Sequence, residues 1–273
     1  MRKILVPIDF SEPSVDALEV AAAIARERGA SLVLLHMLGL SEAILTKNEA
    51  QEYEEAMYYM KLAQKRFKDF MNKPFLKGLD VYQIVQNYKI FSEINNVARE
   101  QGAELIVMGS HGTSGVGDIF VGSNTEKVVR SSEIPVLVIK EADPNFKIKK
   151  MLFACNFDNL LGLAYKNVKA FAESFSAELE LIYINTPYRF KSTSEVKERI
   201  DSFLFKVGEQ GQKVKIYNDY SVEGGLFNYA KKQNSDVIAI ATHGRKGLSH
   251  FFLGSIGEDL ANHANIPVLT FRI

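Results

Sequence analysis

Short apolar runs punctuate this chain, and the punctuation occurs twice. The first half has Ile4–Ile8, Leu32–Met37, Leu105–Met108 and Pro135–Ile139; the second has Met151–Cys155, Leu179–Ile184, Val237–Ile240 and Pro267–Phe271. Near-continuous apolar runs of this length predict strands buried on both faces of a sheet. Between them, apolar residues recur at helical spacing, most clearly at Tyr53, Ala56, Met57, Met60, Ala63, Phe67 and Phe70. The charges Glu52, Glu54, Glu55, Lys61, Lys65 and Arg66 fall largely off that stripe, so the stretch predicts an amphipathic helix with one face in the core. A shorter stretch in the second half, Val196, Ile200, Phe203, Leu204 and Val207, has the same character. Strands alternating with helices predict parallel βαβ units joined by right-handed crossovers.

The two halves align. Ile4-Leu-Val-Pro-Ile-Asp9 corresponds to Met151-Leu-Phe-Ala-Cys-Asn156, and Leu32–Met37 to Leu179–Ile184. The first half carries the longer insert after its second strand. Glu141-Ala-Asp-Pro-Asn-Phe-Lys147 lies between a last and a first strand, and its Pro144 marks a linker. The expected domains are residues 1–142 and 147–273.

Composition narrows the class. A chain of 273 residues suits two domains that each bury a core. Hydrophobic residues at 47% and charged residues at 24% fit a soluble globular protein. Basic and acidic residues number 33 each, which argues against a partner held by bulk positive charge, so no nucleic acid is expected. Cys155 is the single cysteine and sits in an apolar run, which reads as a small buried hydrophobe rather than a redox thiol. The apolar run after Arg2-Lys3 is too short for a secretion signal, and no stretch approaches the roughly 18 apolar residues of a bilayer span. The expectation is a cytoplasmic protein without a membrane partner.

The chemistry is concentrated in a repeated glycine pattern. Gly109-Ser-His-Gly112 is followed nine residues later by Gly122-Ser123; Ala241-Thr-His-Gly244 is followed at the same distance by Gly254-Ser255. Each copy joins an apolar strand to a helical stretch. Glycine lets backbone approach a phosphate, and a helix start offers unpaired N–H groups at the positive end of its dipole. These loops therefore predict an anion site, with turn formation as the alternative. Ser123-Asn-Thr-Glu126 and Ser255-Ile-Gly-Glu258 also read as capping boxes, a role compatible with phosphate binding. Asp9 ends the first strand at the carboxyl edge, where α/β ligands bind, and could accept from ribose hydroxyls. Its alternative role is a helix N-cap, for which Ser11 is also available. His111 and His243 lack partners at metal-ligand spacing and read as loop-orienting residues. A P-loop, a Gly-x-Gly-x-x-Gly after the first strand and a Gly-x-Ser-x-Gly elbow are all missing, and no evident acid/base pair lies near the loops.

These residues resemble the universal stress protein family, whose signature is Gly-x2-Gly-x9-Gly-[Ser/Thr] after the fourth strand of a five-stranded domain. Ile106–Gly115 with Gly122-Ser123 matches it in full, and Ile134–Ile139 and Ile266–Phe271 look like the family's last strand. The resemblance spans nearly the whole chain as two copies. It implies two α/β Rossmann-like (adenine nucleotide alpha hydrolase-like) domains. Each would be a five-stranded parallel sheet in the order 3-2-1-4-5, flanked by helices. It implies ATP or another adenine nucleotide, with Mg2+ or Mn2+ on the phosphates. Carried across, Asp9 would touch the ribose and Met37 with nearby backbone would border the adenine, with Pro7, Ile8 and Met108 also in the binding set. Gly109, His111, Gly112, Gly122, Ser123 and Asn124 would surround the phosphates. Gly244, Gly254, Ser255 and Ile256 would be their counterparts in the second half. That half departs from the pattern, with Asn156 for Asp9 and Ala241 for Gly109; alanine would be costly if the position needs positive φ.

The favoured function is thus a nucleotide-linked regulatory protein of the stress response, with an unidentified protein partner. The alternatives are a nucleotide-free scaffold with purely structural loops and a weak ATPase, although no residue is an evident base for hydrolysis. The apolar edges Pro135–Ile139 and Pro267–Phe271 invite pairing, either as a pseudo-dimer within one chain or as a homodimer.

Overall fold

In a computed structural model, described for residues 1–38, 49–87, 93–110, 123–158, 161–242 and 266–273, the chain divides into two compact units. Among the described residues the division falls between Phe146 and Lys147. The first unit runs β1 (Lys3–Pro7), α1 (Glu12–Arg28), β2 (Ser31–Leu38), α2 (Glu49–Met71) and β3 (Val81–Asn87). It continues with α3 (Glu93–Glu100), β4 (Leu105–Gly109), α4 (Ser123–Ser131) and β5 (Val136–Ile139). Its strands lie in the order β3-β2-β1-β4-β5 and pair in parallel.

The core follows from the apolar runs. Ile4, Leu5 and Val6 of β1 are fully buried, with Ile4 registered against Leu32 on one side and Leu105 on the other. A strand covered on both faces has no solvent side, which is why β1 does not alternate. Helix α1 buries Ala17, Leu18, Val20, Ala21, Ile24 and Ala25, small and branched side chains that let it lie close to the sheet. Ser11 caps its start. Gly29 ends it in the left-handed conformation (φ 63°), its N–H bonded to the Ala25 carbonyl. The amphipathic stripe on α2 packs as read: Ala63, Phe67 and Phe70 are buried, while the side chains of Tyr53 and Ala56 lie outside the described residues.

The second unit repeats the plan with β6 (Lys150–Ala154), α5 (Gly162–Ser174), β7 (Glu178–Asn185), α6 (Thr193–Val207) and β8 (Val214–Asn218). It ends with α7 (Val222–Gln233), β9 (Val237–Thr242) and β10 (Val268–Arg272). Its order, β10-β9-β6-β7-β8, is the 3-2-1-4-5 arrangement once its strands are counted from β6. All its pairings are parallel. Val196, Ile200, Phe203 and Leu204 of α6 are buried, matching the stripe on α2.

Gly109 has a packing reason for lacking a side chain. A Cβ there would lie 2.5 Å from the Pro13 carbonyl oxygen and 2.9 Å from the Pro13 Cβ, inside the first turn of α1. Its φ is not in the left-handed region. The conditional strain argument against Ala241 therefore does not apply. Helix α1 starts three residues after Asp9, whereas α5 starts at Gly162, six after Asn156. Gly109→Ala is expected to destabilise the first unit by about 1–3 kcal/mol through overpacking against backbone, read as a lower urea midpoint by circular dichroism; an unchanged midpoint would refute the close-approach role.

Candidate functional site

In the first unit the chain turns left from β1 to reach β2 and β3, then crosses to β4 and β5. The carboxyl ends of β1 and β4 therefore flank the point where strand order reverses, the place where open parallel sheets bind ligands. Pro7, Met37 and Gly109 stand at or beside the carboxyl ends of the neighbouring strands β1, β2 and β4, and Asp9 lies two residues past the end of β1. Ile8 and Met108, by contrast, are buried. The Ile8 N–H donates to the Leu35 carbonyl at 2.8 Å, and its own carbonyl receives His36 Nδ1 at 2.6 Å, so its main-chain groups are occupied within the fold. Ser123 is the first residue of α4 and Asn124 is half-buried behind it. Glu126 pairs with Arg130 at 2.6 Å. His111, Gly112, Gly122, His243, Gly244, Gly254, Ser255 and Ile256 lie outside the described residues.

Asp9 is held in a tight turn. Its Oδ1 accepts from the Ser11 N–H at 3.0 Å and from the Ser11 hydroxyl. Ser11 in turn caps α1 by accepting from Ser14 N–H. The division of labour follows the residue types: serine caps the helix, and the aspartate carboxylate anchors the turn that precedes it. In the second unit Asn156 Oδ1 accepts from the Asp158 N–H at 3.0 Å, so the turn survives while its charge does not. A carboxylate reappears at Asp158, the position equivalent to Ser11, 3.6 Å from Arg199.

Two residues that sequence reasoning passed over, Thr125 and Phe10, help complete this edge. Thr125, buried on α4, donates its hydroxyl to the Gly109 carbonyl at 2.9 Å and ties the start of that helix to the end of β4. Ser11 fixes Asp9 as above. Phe10 takes a left-handed backbone (φ 65°), rare for a bulky side chain. Its ring lies 4.6 Å from His36, 5.2 Å from Phe67 and 5.1 Å from Phe70, with Arg66 5.6 Å above it. The left-handed conformation costs about 1–2 kcal/mol, and three ring contacts at about 0.5–1.5 kcal/mol each outweigh it. Phe157 has the same conformation (φ 55°), against Tyr183 and Phe203. The signal was present in the sequence, because Asp9-Phe10 and Asn156-Phe157 align.

His36 is half-buried and neutral at the turn. Because a carbonyl only accepts, Nδ1 must carry the proton it gives Ile8. Burial, with Arg66 adding, holds the imidazole below its ordinary value against the opposing effects of the Ile8 bond and Asp9. Cys155 is inert: it is buried, its Sγ receives the Phe157 N–H at 3.2 Å, and burial pushes its thiol up to about 12. No cluster of His, Cys, Asp or Glu able to hold a metal occurs among the described residues, and no described helix is long and apolar enough to cross a membrane.

Two doubly wound parallel units in tandem, each with an Asx turn just past the end of its first strand, define a repeated α/β protein. The chain belongs to the universal stress protein family, whose sequence profile matches residues 1–140 and again 147–272. A universal stress protein of Methanocaldococcus jannaschii is 31% identical over 160 residues, covering 51% of this chain and 94% of that protein. One of Mycolicibacterium smegmatis is 22% identical over 288 residues, covering 98% of this chain and 96% of its own length. In fold, the crystal structure of a universal stress protein from Archaeoglobus fulgidus superposes with a TM-score of 0.70 at 19% identity, covering 99% of this chain and 96% of that one.

His36 makes the first unit sensitive to acid. Its depressed value in the folded state means that the folded unit binds fewer protons than the unfolded chain. The stability it supports is therefore full above the unfolded value of about 6.5 and is lost as pH falls through the lower folded value. Between about pH 7 and about pH 5, the fall in unfolding free energy should be shallower in His36→Asn, which keeps a donor near Nδ1 but does not titrate. Parallel slopes in urea titrations of the two proteins would show that His36 contributes nothing.

Proposed function

We propose that the first unit binds ATP, with Mg2+ or Mn2+ on the phosphates, in the crevice between the carboxyl ends of β1 and β4. The second unit binds it more weakly or not at all. The observation that carries this reading is Asp9, a half-buried carboxylate fixed by Ser11 at the switch point. It lies in the half of the chain whose glycine pattern is complete. One Asp9 oxygen anchors the turn, and the carboxylate accepts from ribose hydroxyls. Met37 borders the adenine. Gly109, Gly112, Gly122, Ser123 and Asn124 meet the phosphates, supported by the first-turn amides of α4. Thr125 fits this assignment because it fastens α4 to the end of β4. In the second unit Asn156 keeps the acceptor but lacks the charge. Nucleotide binding shifts a conformational or assembly equilibrium that an unidentified protein partner reads in the stress response.

Titration calorimetry with ATP and Mg2+ tests the reading. Asp9→Asn preserves the turn, as Asn156 does, and removes the charge. It should weaken the tighter site about tenfold or more, from a charge-assisted hydrogen bond worth about 1.5–3 kcal/mol. Gly122→Val places a branched side chain where a phosphate approaches and should abolish that site, while Gly254→Val should leave it intact. A folded Gly122→Val protein with unchanged affinity overturns the assignment.

A further inference from the structure

The polar turn at the switch point stands on a residue that faces away from it. Asp9 and Ser11 flank Phe10, whose left-handed backbone reverses the chain between β1 and α1. Nothing within the turn favours that conformation in a phenylalanine, because its Cβ crowds the following carbonyl there. The ring is gripped from two elements. His36 of β2 lies at 4.6 Å, while Phe67 and Phe70 of α2 meet its edges at 5.2 and 5.1 Å, with interplanar angles of 72° and 86°. His36 also stands 6.3 Å from Phe67 and is bonded to the Ile8 carbonyl one residue before Asp9. The box therefore holds the backbone on both sides of the aspartate. Phe67 is fully buried and Phe70 nearly so, and the second unit builds the same arrangement from Phe157, Tyr183 and Phe203. A strained backbone persists only where the surrounding packing over-determines it, and such residues cluster at ligand sites.

We propose that Phe10 is the positioning residue for Asp9, and that α2, through Phe67 and Phe70, sets the aim of the Asp9 carboxylate toward its ligand. This rests on the ATP reading above. Its consequence is that a helix with no place in the assigned binding set controls recognition of the ribose. When α2 is seated, Phe10 is fixed, the Ser11 N–H stays on Asp9 Oδ1, and the carboxylate presents one geometry to a diol. When α2 loosens, Phe10 relaxes out of the left-handed region and the turn opens.

The test uses Phe70→Leu, which keeps apolar volume but loses the ring edge, with Phe67→Leu as a second variant should the first not fold. Two readouts are taken on the full-length protein. The first is discrimination between ATP and 2′,3′-dideoxy-ATP, both with Mg2+. The wild type should prefer ATP by about tenfold, the value of one charge-assisted hydrogen bond, and the variant should lose most of that preference while its affinity for dideoxy-ATP changes little. A merely structural role would weaken both ligands together. The second is hydrogen exchange of the Ser11 amide without ligand, which should accelerate in the variant relative to the amides of β4. Unchanged ribose discrimination with unchanged Ser11 protection overturns the proposal. If the wild type binds neither nucleotide, the ATP reading fails by itself, and the exchange measurement still decides whether the α2 box fixes the Asp9 turn.

Discussion

The first unit depends on one backbone constraint: the chain must leave β1, reverse and enter α1 within four residues, Ile8 to Ser11. That short connection brings Pro13 against Gly109, so α1 presses on the end of β4 as well as on β1. It is made with left-handed Phe10 between the hydrogen-bonded Asp9 and Ser11. Phenylalanine is an unfavourable choice there by local preference and a favourable one by packing, since its ring closes the gap between β2 and α2. Local propensity yields to tertiary contact because three ring contacts exceed the cost of one strained residue.

The second unit shows which parts of this device belong to the fold and which vary. The left-handed phenylalanine, the side chain that accepts from the amide two residues on, and the aromatic partner on the next strand all recur at Phe157, Asn156 and Tyr183. The carboxylate, the serine cap and the close glycine do not recur. Asn156 stands for Asp9 and Asp158 for Ser11, and Ala241 occupies the place of Gly109 in a unit whose following helix starts later. The repeated features shape the turn; the variable ones set its charge. A chain built from two such units keeps one architecture while its two turns differ in charge.

The apolar runs and their spacing were enough to place four of the five strands in each half, the parallel βαβ order and the division into two similar halves; the edge strands β3 and β8, which lack a continuous apolar run, were not located. Periods of two and 3.6, and the need to bury both faces of a parallel strand, leave few alternatives. The places of Asp9 just past β1 and of the glycine pattern after β4 were equally legible, because both are positions along the chain. Three things needed the tertiary structure. Gly109 lacks a side chain because Pro13, 96 positions earlier, approaches within 2.5 Å of where its Cβ would be. Thr125 matters because its hydroxyl reaches the Gly109 carbonyl. Phe10 is stable with positive φ because His36, Phe67 and Phe70 converge on it from β2 and α2. Each depends on residues far apart in sequence, and local pattern carries no information about which distant side chain will arrive.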